Sequence, residues 1–270
     1  MPELPEVETT LRAIEKFQGS KIQKVKIYNR NLRWKVVDCF ESLSQKQFVE
    51  SLERRAKYII FNLSNNKSII LHLGMSGSLR IADNNENFFI KHDHVELIFD
   101  EQKIIYNDPR RFGSMHITSN VQKHKLIKDL GPEPLSKEFN AKNFYKACKY
   151  SKTNIKSFLM NQKNVVGIGN IYASESLFLS SISPLRDAQD LDLEDCKRLV
   201  ASGKKILKKA IAVGGTTLKD FYSADGSPGY FKFKLNVYGR ESEDCKKCGE
   251  SIYKVVINQR ATFYCKSCQT

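Results

Sequence analysis

The tightest constraint on this chain lies in its tail. Cys245 and Cys248 form one CxxC pair and Cys265 and Cys268 a second, with sixteen residues between the pairs, which is zinc-ribbon spacing. From about residue 236 the chain is too short to bury a core unaided, so a metal must supply much of its folding free energy. Each CxxC bends both sulfurs toward one ion, and four thiolates complete a closed tetrahedral shell with no position left for substrate. This predicts one structural Zn2+ rather than a redox or catalytic centre. Cys39, Cys148 and Cys196 are scattered, and an odd total of seven argues against a disulfide framework.

Ahead of the tail the hydrophobic period changes once. Up to about residue 118 the segments KVKIY, YIIFNL, SIILHL, HVELIF and KIIY are β-branched and aromatic with partial alternation, separated by Gly, Asn and Asp clusters. They predict an antiparallel sandwich or barrel. From about residue 120 the period moves toward 3.6, predicting helices near 137–149, 153–161, 170–181 and 192–212, with GPEPLS at 131–136 as a linker. The expected architecture is α+β and multidomain: 1–133 a β-sandwich carrying an N-terminal helix, 134–235 helical, 236–270 a zinc-finger hairpin.

In 270 residues, 41% hydrophobic composition can fill such cores and rules out wholesale disorder. Neither a signal peptide nor an apolar run of membrane-spanning length is found, so a cytosolic protein is expected. A formal charge of +14 suggests a polyanionic partner, although a lysine-rich solvated surface gives the same total.

Four stretches carry possible chemistry. In VVGIGNIYASESLF, Gly167 and Gly169 permit a tight turn and Asn170 can cap the following helix, leaving backbone N–H groups suited to a phosphate. An ordinary connection between helices fits equally, and Tyr172 excludes a dinucleotide fingerprint. In LHLGMSGSLR and YNDPRRFG, Met75, Arg110 and Phe112 stand at turns; apolar wedges beside arginine suit insertion into a kinked duplex, and packed hairpin residues are the alternative. In NQRATFYC, Arg260 lies on the metal-fixed hairpin, where it is either solvated or free to meet phosphate or substrate.

The fourth stretch is the N-terminus, MPELPEVETT. Pro5, Glu6 and Glu8 suit a first helical turn, Val7, Leu11, Ile14 and Phe17 form an apolar stripe, and Gly19 can end the helix. Pro2 and Glu3 remain unexplained by helix formation. A small second residue favours removal of the initiating Met, leaving the secondary amine of Pro2 at the terminus. An α-amino group with pKa near 8 is neutral in about a tenth of molecules at pH 7, against fewer than roughly one in a thousand for an ordinary lysine. Attack of such an amine on a sugar carbon gives an iminium ion that acts as an electron sink for elimination. Glu3 and Glu6 place carboxyls beside it for proton transfer.

MPELPEVE, RRAKY, LGMSGSLR, KHDHVEL, DPRRFG, LGPEPL, GNIYASESLF, GGTTLKDF and QRATFYC, in this order from residue 1 to 268, resemble the bacterial formamidopyrimidine-DNA glycosylase family. The resemblance implies a repair enzyme that removes oxidised purines, notably 8-oxoguanine and formamidopyrimidines, from double-stranded DNA and then cuts the abasic strand by β,δ-elimination. It implies Pro2 as Schiff-base nucleophile, Glu3 as proton donor or shuttle, Glu6 in support, and Lys57 and Arg260 as proton donors in the β and δ steps. His92, Arg110, Lys156 and Asn170 match strand or phosphate contacts. Met75, Arg110 and Phe112 match the trio that fills the space left by a flipped base. Some relatives carry a contacting lysine where Ser151 stands, with Lys149 and Lys152 nearby. Residues 214–231, with four glycines, resemble a base-capping loop in which Lys219 and Tyr230 are candidates. DNA is then expected in a cleft between the halves, placing Pro2 and Arg260 close together. A monomer is expected, cytoplasmic and nucleoid-associated through DNA.

Three other readings remain. The sister family of endonuclease VIII type acts on oxidised pyrimidines but typically carries Gly where Leu4 stands. A non-catalytic binder of damaged DNA has no need of Pro2, Glu3, Lys57 and Arg260 together. An N-terminal-proline tautomerase leaves the zinc hairpin and the charge without a role.

Overall fold

A computed structural model of the chain describes residues 2–86, 89–214 and 235–270. These divide into two compact units, one formed by residues 2–128 with 213 and 214, the other by 129–212 and 235–270.

The first unit opens with helix α1 (Leu4–Ile14), then β1 (Lys24–Ile27), a short α2 (Phe40–Ser44), β2 (Val49–Arg55), β3 (Tyr58–Leu63), β4 (Ser68–His72), β5 (Ser78–Asp83), β6 (Asp93–Ile98), β7 (Gln102–Asn107) and β8 (Ser114–Thr118). The strands form two four-stranded antiparallel sheets, ordered β1-β6-β7-β5 and β2-β3-β4-β8. Of the two predicted β architectures, the sandwich is the one present. Ile59, Phe61 and Leu63 of β3, Ile69 and Leu71 of β4, and Ile104 and Tyr106 of β7 fill one core with Val7, Leu11 and Ile14 of α1. Their alternate neighbours Ile60, Ile70 and Ile105 are equally buried but lie outside that cluster. With side chains at period two, those positions face the opposite side of the sheets. Burial on both faces is why the alternation in the sequence is only partial.

In the second unit, α3 (Ala141–Cys148), α4 (Ile155–Met160), α5 (Asn170–Leu179) and α6 (Leu193–Ala212) precede the hairpin β9 (Tyr253–Ile257) and β10 (Arg260–Tyr264). The first predicted helix is shorter than expected because Asn140 caps it, accepting from the amide of Asn143. Asn154 caps α4 through the amide of Ser157 in the same way. The hairpin does not stand on its metal site alone. Phe263, Ile252 and Val237 share a small core with Phe178 of α5, giving the tail an apolar dock that its length could not provide.

Candidate functional site

Two carboxylates are built into the start of α1. Glu3 is the N-cap, Pro5 occupies the first turn where no N–H is required, and Glu3 and Glu6 form a reciprocal capping box. The amide of Glu3 donates to Glu6 Oε2 at 2.9 Å, and both residues are at most 2% exposed. Pro2, immediately before them, is also buried. One local structure thus sets the positions of the N-terminal proline and both neighbouring carboxyls.

Lys57 sits on the two-residue turn between β2 and β3, next to Ala56, which adopts φ 55°. Arg54 holds that turn: its Nε donates to Glu8 Oε2 of α1 at 2.8 Å, and its Nη1 to the Ala56 carbonyl at 3.1 Å. His72 lies across from this turn, paired with Tyr58, their rings 4.9 Å apart. Burial, then the charges of Lys57 and Arg33, lower the His72 pKa to about 4, so the ring is neutral at pH 7. Its Nδ1 accepts from the Gly74 amide at 3.1 Å, linking the Lys57 region to the next loop. Neither Arg54 nor His72 stood out in the sequence, although Arg54 falls inside the RRAKY motif and His72 directly precedes LGMSGSLR.

The residues expected to act as a wedge occupy two loops fused through one buried carboxylate. Asp108, fully buried, accepts from the Ser76 hydroxyl at 2.6 Å on Oδ1, and from the Tyr106 hydroxyl at 2.9 Å and the Gly113 amide at 2.8 Å on Oδ2. Ser76 Oγ in turn accepts from the Arg110 amide at 3.2 Å. The loops touch backbone to backbone: a Cβ at Gly74 would come within 2.4 Å of Gly113 N, and one at Gly113 within 2.5 Å of the His72 carbonyl oxygen. On this base Phe112 is 42% exposed, with the Arg110 guanidinium 4.6 Å from its ring centroid, and Met75 is half-buried. The packed-hairpin alternative therefore does not hold for Phe112. His92 is half-buried at φ 77°, and its carbonyl accepts from the Asp108 amide.

In the second unit the expected cap at Asn170 is corrected. Gly169 is the N-cap of α5 and Asn170 its first helical residue. The Asn170 Nδ2 instead donates 2.9 Å to the carbonyl of Ala261 in β10. Lys156, 1% exposed, donates to the same carbonyl at 3.1 Å and to Thr262 Oγ1 at 2.6 Å. The Thr262 hydroxyl donates to the Arg260 carbonyl, and Asn258 Nδ2 to Ser157 Oγ at 2.8 Å. The turn between the strands places Asn258 and Gln259 at φ 45° and 59°, a twist matched to two-residue hairpins. Arg260 is exposed and borders a cavity of about 200 Å³ with Lys156 and Asn161. Lys156 thus lies beneath the hairpin, and Arg260 at its surface. Ser151 is half-buried and Lys152 exposed on the segment between α3 and α4. Lys219 and Tyr230 lie outside the described residues.

Glu175 of α5, also missed in the sequence, is fully buried. Its carboxylate accepts from the amides of Asn236, Val237 and Tyr238 at 2.8 to 2.9 Å, fixing the chain entering the zinc hairpin. The Sγ atoms of Cys245, Cys248, Cys265 and Cys268 all lie within 4.8 Å of one another, with 3.9 Å between Cys245 and Cys268 and 3.5 Å between Cys248 and Cys265. A tetrahedron with Zn–S bonds of about 2.3 Å has edges of about 3.8 Å, so the thiolates fit zinc.

A sandwich with a buried proline and two carboxylates at the head of its first helix, two loops pinned by Asp108, and a second unit that seats a four-cysteine hairpin on helix ends match the class of zinc-finger, helix–two-turn–helix DNA-lesion proteins. Family models match throughout: the formamidopyrimidine-DNA glycosylase N-terminal domain over residues 1–115, its H2TH domain over 130–222, and the zinc finger found in FPG and IleRS over 242–270. The chain is 50% identical to the formamidopyrimidine-DNA glycosylase of Hydrogenovibrio crunogenus, covering all of this chain and 96% of that one. Among solved structures it resembles Lactococcus lactis Fpg in complex with abasic-site DNA, with TM-score 0.91, 35% identity and 99% of each chain covered. The same enzyme with Fapy-dG DNA gives TM-score 0.90 and 34% identity over 99% of each chain. The chain belongs to the formamidopyrimidine-DNA glycosylase family.

Proposed function

We propose that this protein excises oxidised purines, 8-oxoguanine and formamidopyrimidines, from double-stranded DNA and then cleaves the abasic strand. The observation that carries the reading is the buried Pro2-Glu3-Glu6 arrangement at the head of α1, in a family whose solved members hold Fapy-dG and abasic-site DNA.

With Met1 removed, the Pro2 amine attacks the anomeric carbon, the base leaves, and the sugar ring opens as the iminium forms. Glu3 moves the proton to the ring oxygen and Glu6 holds Glu3 in place through the cap. Lys57, set by Arg54, serves the β-elimination, and Arg260, set by Lys156 and Thr262, the δ-elimination. His92, Arg110, Ser151, Lys152 and Asn170 contact the strand; Met75, Arg110 and Phe112 fill the vacated stack; Lys219 and Tyr230 cap the base. Zinc holds the hairpin and enters no chemical step. The three matched stretches support division into 1–133, 134–235 and 236–270. A cytoplasmic monomer acting on the nucleoid is part of this reading; no described helix is long and apolar enough to cross a membrane.

The test is borohydride trapping on a duplex with one 8-oxoguanine opposite cytosine. A covalent adduct mapped to Pro2, absent with undamaged duplex, is expected. No adduct from a chain whose N-terminus is confirmed as Pro2 overturns the reading. Trapping only on an oxidised pyrimidine transfers it to endonuclease VIII-type chemistry.

A further inference from the structure

An open cavity of about 740 Å³ lies against the wedge loops, lined by Asn31, Leu32 and Arg33 on one side and by Met75, Arg110, Arg111 and Phe112 on the other. The 31–33 segment is fastened to the wedge, since the Arg33 amide donates to the Gly113 carbonyl at 3.1 Å. Leu32 is buried and anchors it from below. Arg33 itself is exposed, and among the described residues it has no ion-pair partner.

Its guanidinium is nonetheless held in place. The guanidinium carbon lies 4.8 Å from the ring centroid of Trp34, and that ring is also met by Lys125 at 5.5 Å and by His116 at 5.6 Å. A stacked arginine gives up little side-chain freedom when it binds, and its fork stays free for an anion. Arg33 also acts on His72 and Tyr58 of the Lys57 region, so its charge reaches both the wedge and that turn.

The sign of the surroundings is uniform. Arg33, Arg110 and Arg111 line the cavity, Lys125 shares the Trp34 ring with Arg33, and Lys57 and Arg33 both act on His72. The carboxylate among them, Asp108, is fully buried and committed to Ser76, Tyr106 and Gly113. Arg111 is held at φ 56°, a conformation that costs free energy and recurs at ligand sites. A concave surface of one sign concentrates counter-ions, and bidentate guanidinium groups match a phosphodiester.

We propose that this cavity is a subsite for the DNA backbone beside the wedge and that Arg33 is the cation that completes it. The inference rests on the DNA-repair reading above. Asn31 faces the same space and can hydrogen-bond a second phosphate or sugar oxygen.

The test compares Arg33→Gln, Arg33→Lys and a charge-matched control, Lys21→Gln, which removes an exposed lysine over Phe48. Affinity for a lesion duplex and an undamaged duplex is measured from 50 to 300 mM salt. R33Q is expected to weaken both by roughly tenfold and to lower the salt slope by about 0.9, with R33K recovering most of the slope. A methylphosphonate at the contacted position weakens the wild type and leaves R33Q indifferent. Equal slopes for R33Q and K21Q, or no methylphosphonate that separates wild type from R33Q, overturn the proposal. If R33Q is poorly folded, R33K and the wild-type methylphosphonate scan decide the outcome. Wild-type trapping on Pro2 with an unaltered R33Q slope sinks the subsite alone, whereas absent trapping sinks the repair reading.

Discussion

The two units hold their candidate catalytic groups by different physics. Around Pro2, Glu3 and Glu6, helix capping and a large inter-sheet core do the positioning, so the same bonds that start α1 also aim the carboxyls. Around Arg260, a two-stranded hairpin with few apolar contacts is fixed by four thiolates and by cross-links from Lys156, Asn170 and Glu175. The first arrangement should let a candidate carboxyl be replaced without loss of fold. In the second, loss of the metal should take the hairpin and Arg260 together.

Metal removal should separate the units most sharply. Structural zinc contributes about 10–16 kcal/mol in small zinc folds, so chelation or Cys265→Ser should abolish strand cleavage. Trp34, the single tryptophan, lies in the first unit, and its fluorescence should persist; joint loss of both signals would refute the contrast.

Glu3→Gln should come next, lowering base excision by about 10²- to 10⁴-fold. Its amide oxygen can still accept the cap N–H, so the unfolding midpoint should stay near that of the wild type. A large fall in thermal stability would show that chemistry and fold are not separable there.

Lys156→Met should act through position. It strips the Thr262 hydroxyl of its donor, while Asn170 still serves Ala261, costing about 1–3 kcal/mol. The δ product should fall more than base release in a gel assay that resolves the two ends.

The smallest effect should follow pH. Burial holds both His72 and His116 to a pKa of about 4, against 6.5 when unfolded. The unfolded chain therefore binds more protons between those values, and stability present above pH 6.5 is lost as pH falls toward 4. His116→Asn should flatten part of that slope in thermal melts, with the second unit contributing little.

The same contrast explains what the sequence made legible. The zinc ligands and the α1 entry are local patterns, readable from spacing and cap chemistry. Strands β2, β5 and β8 were hidden because their exposed positions carry charged or polar groups that mask the alternation, as in VESLERR. Asn170 misled because Gly169 and Asn170 can both cap a helix, and the deciding partner, Ala261, is 91 residues away. Asp108 looked like a turn former beside Pro109. Its use as a buried three-donor hub depends on Ser76, 32 residues earlier, and no local pattern encodes that.

The backbone contact between Gly74 and Gly113 has an evolutionary corollary. A side chain at either position forces the other loop to move, and Ser76 and Asp108 transmit that shift to Arg110. The two loops can therefore drift only as a module: replacements that leave the joint intact must arrive at their tips, half-buried Met75 and exposed Phe112, while the contact beneath them stays frozen.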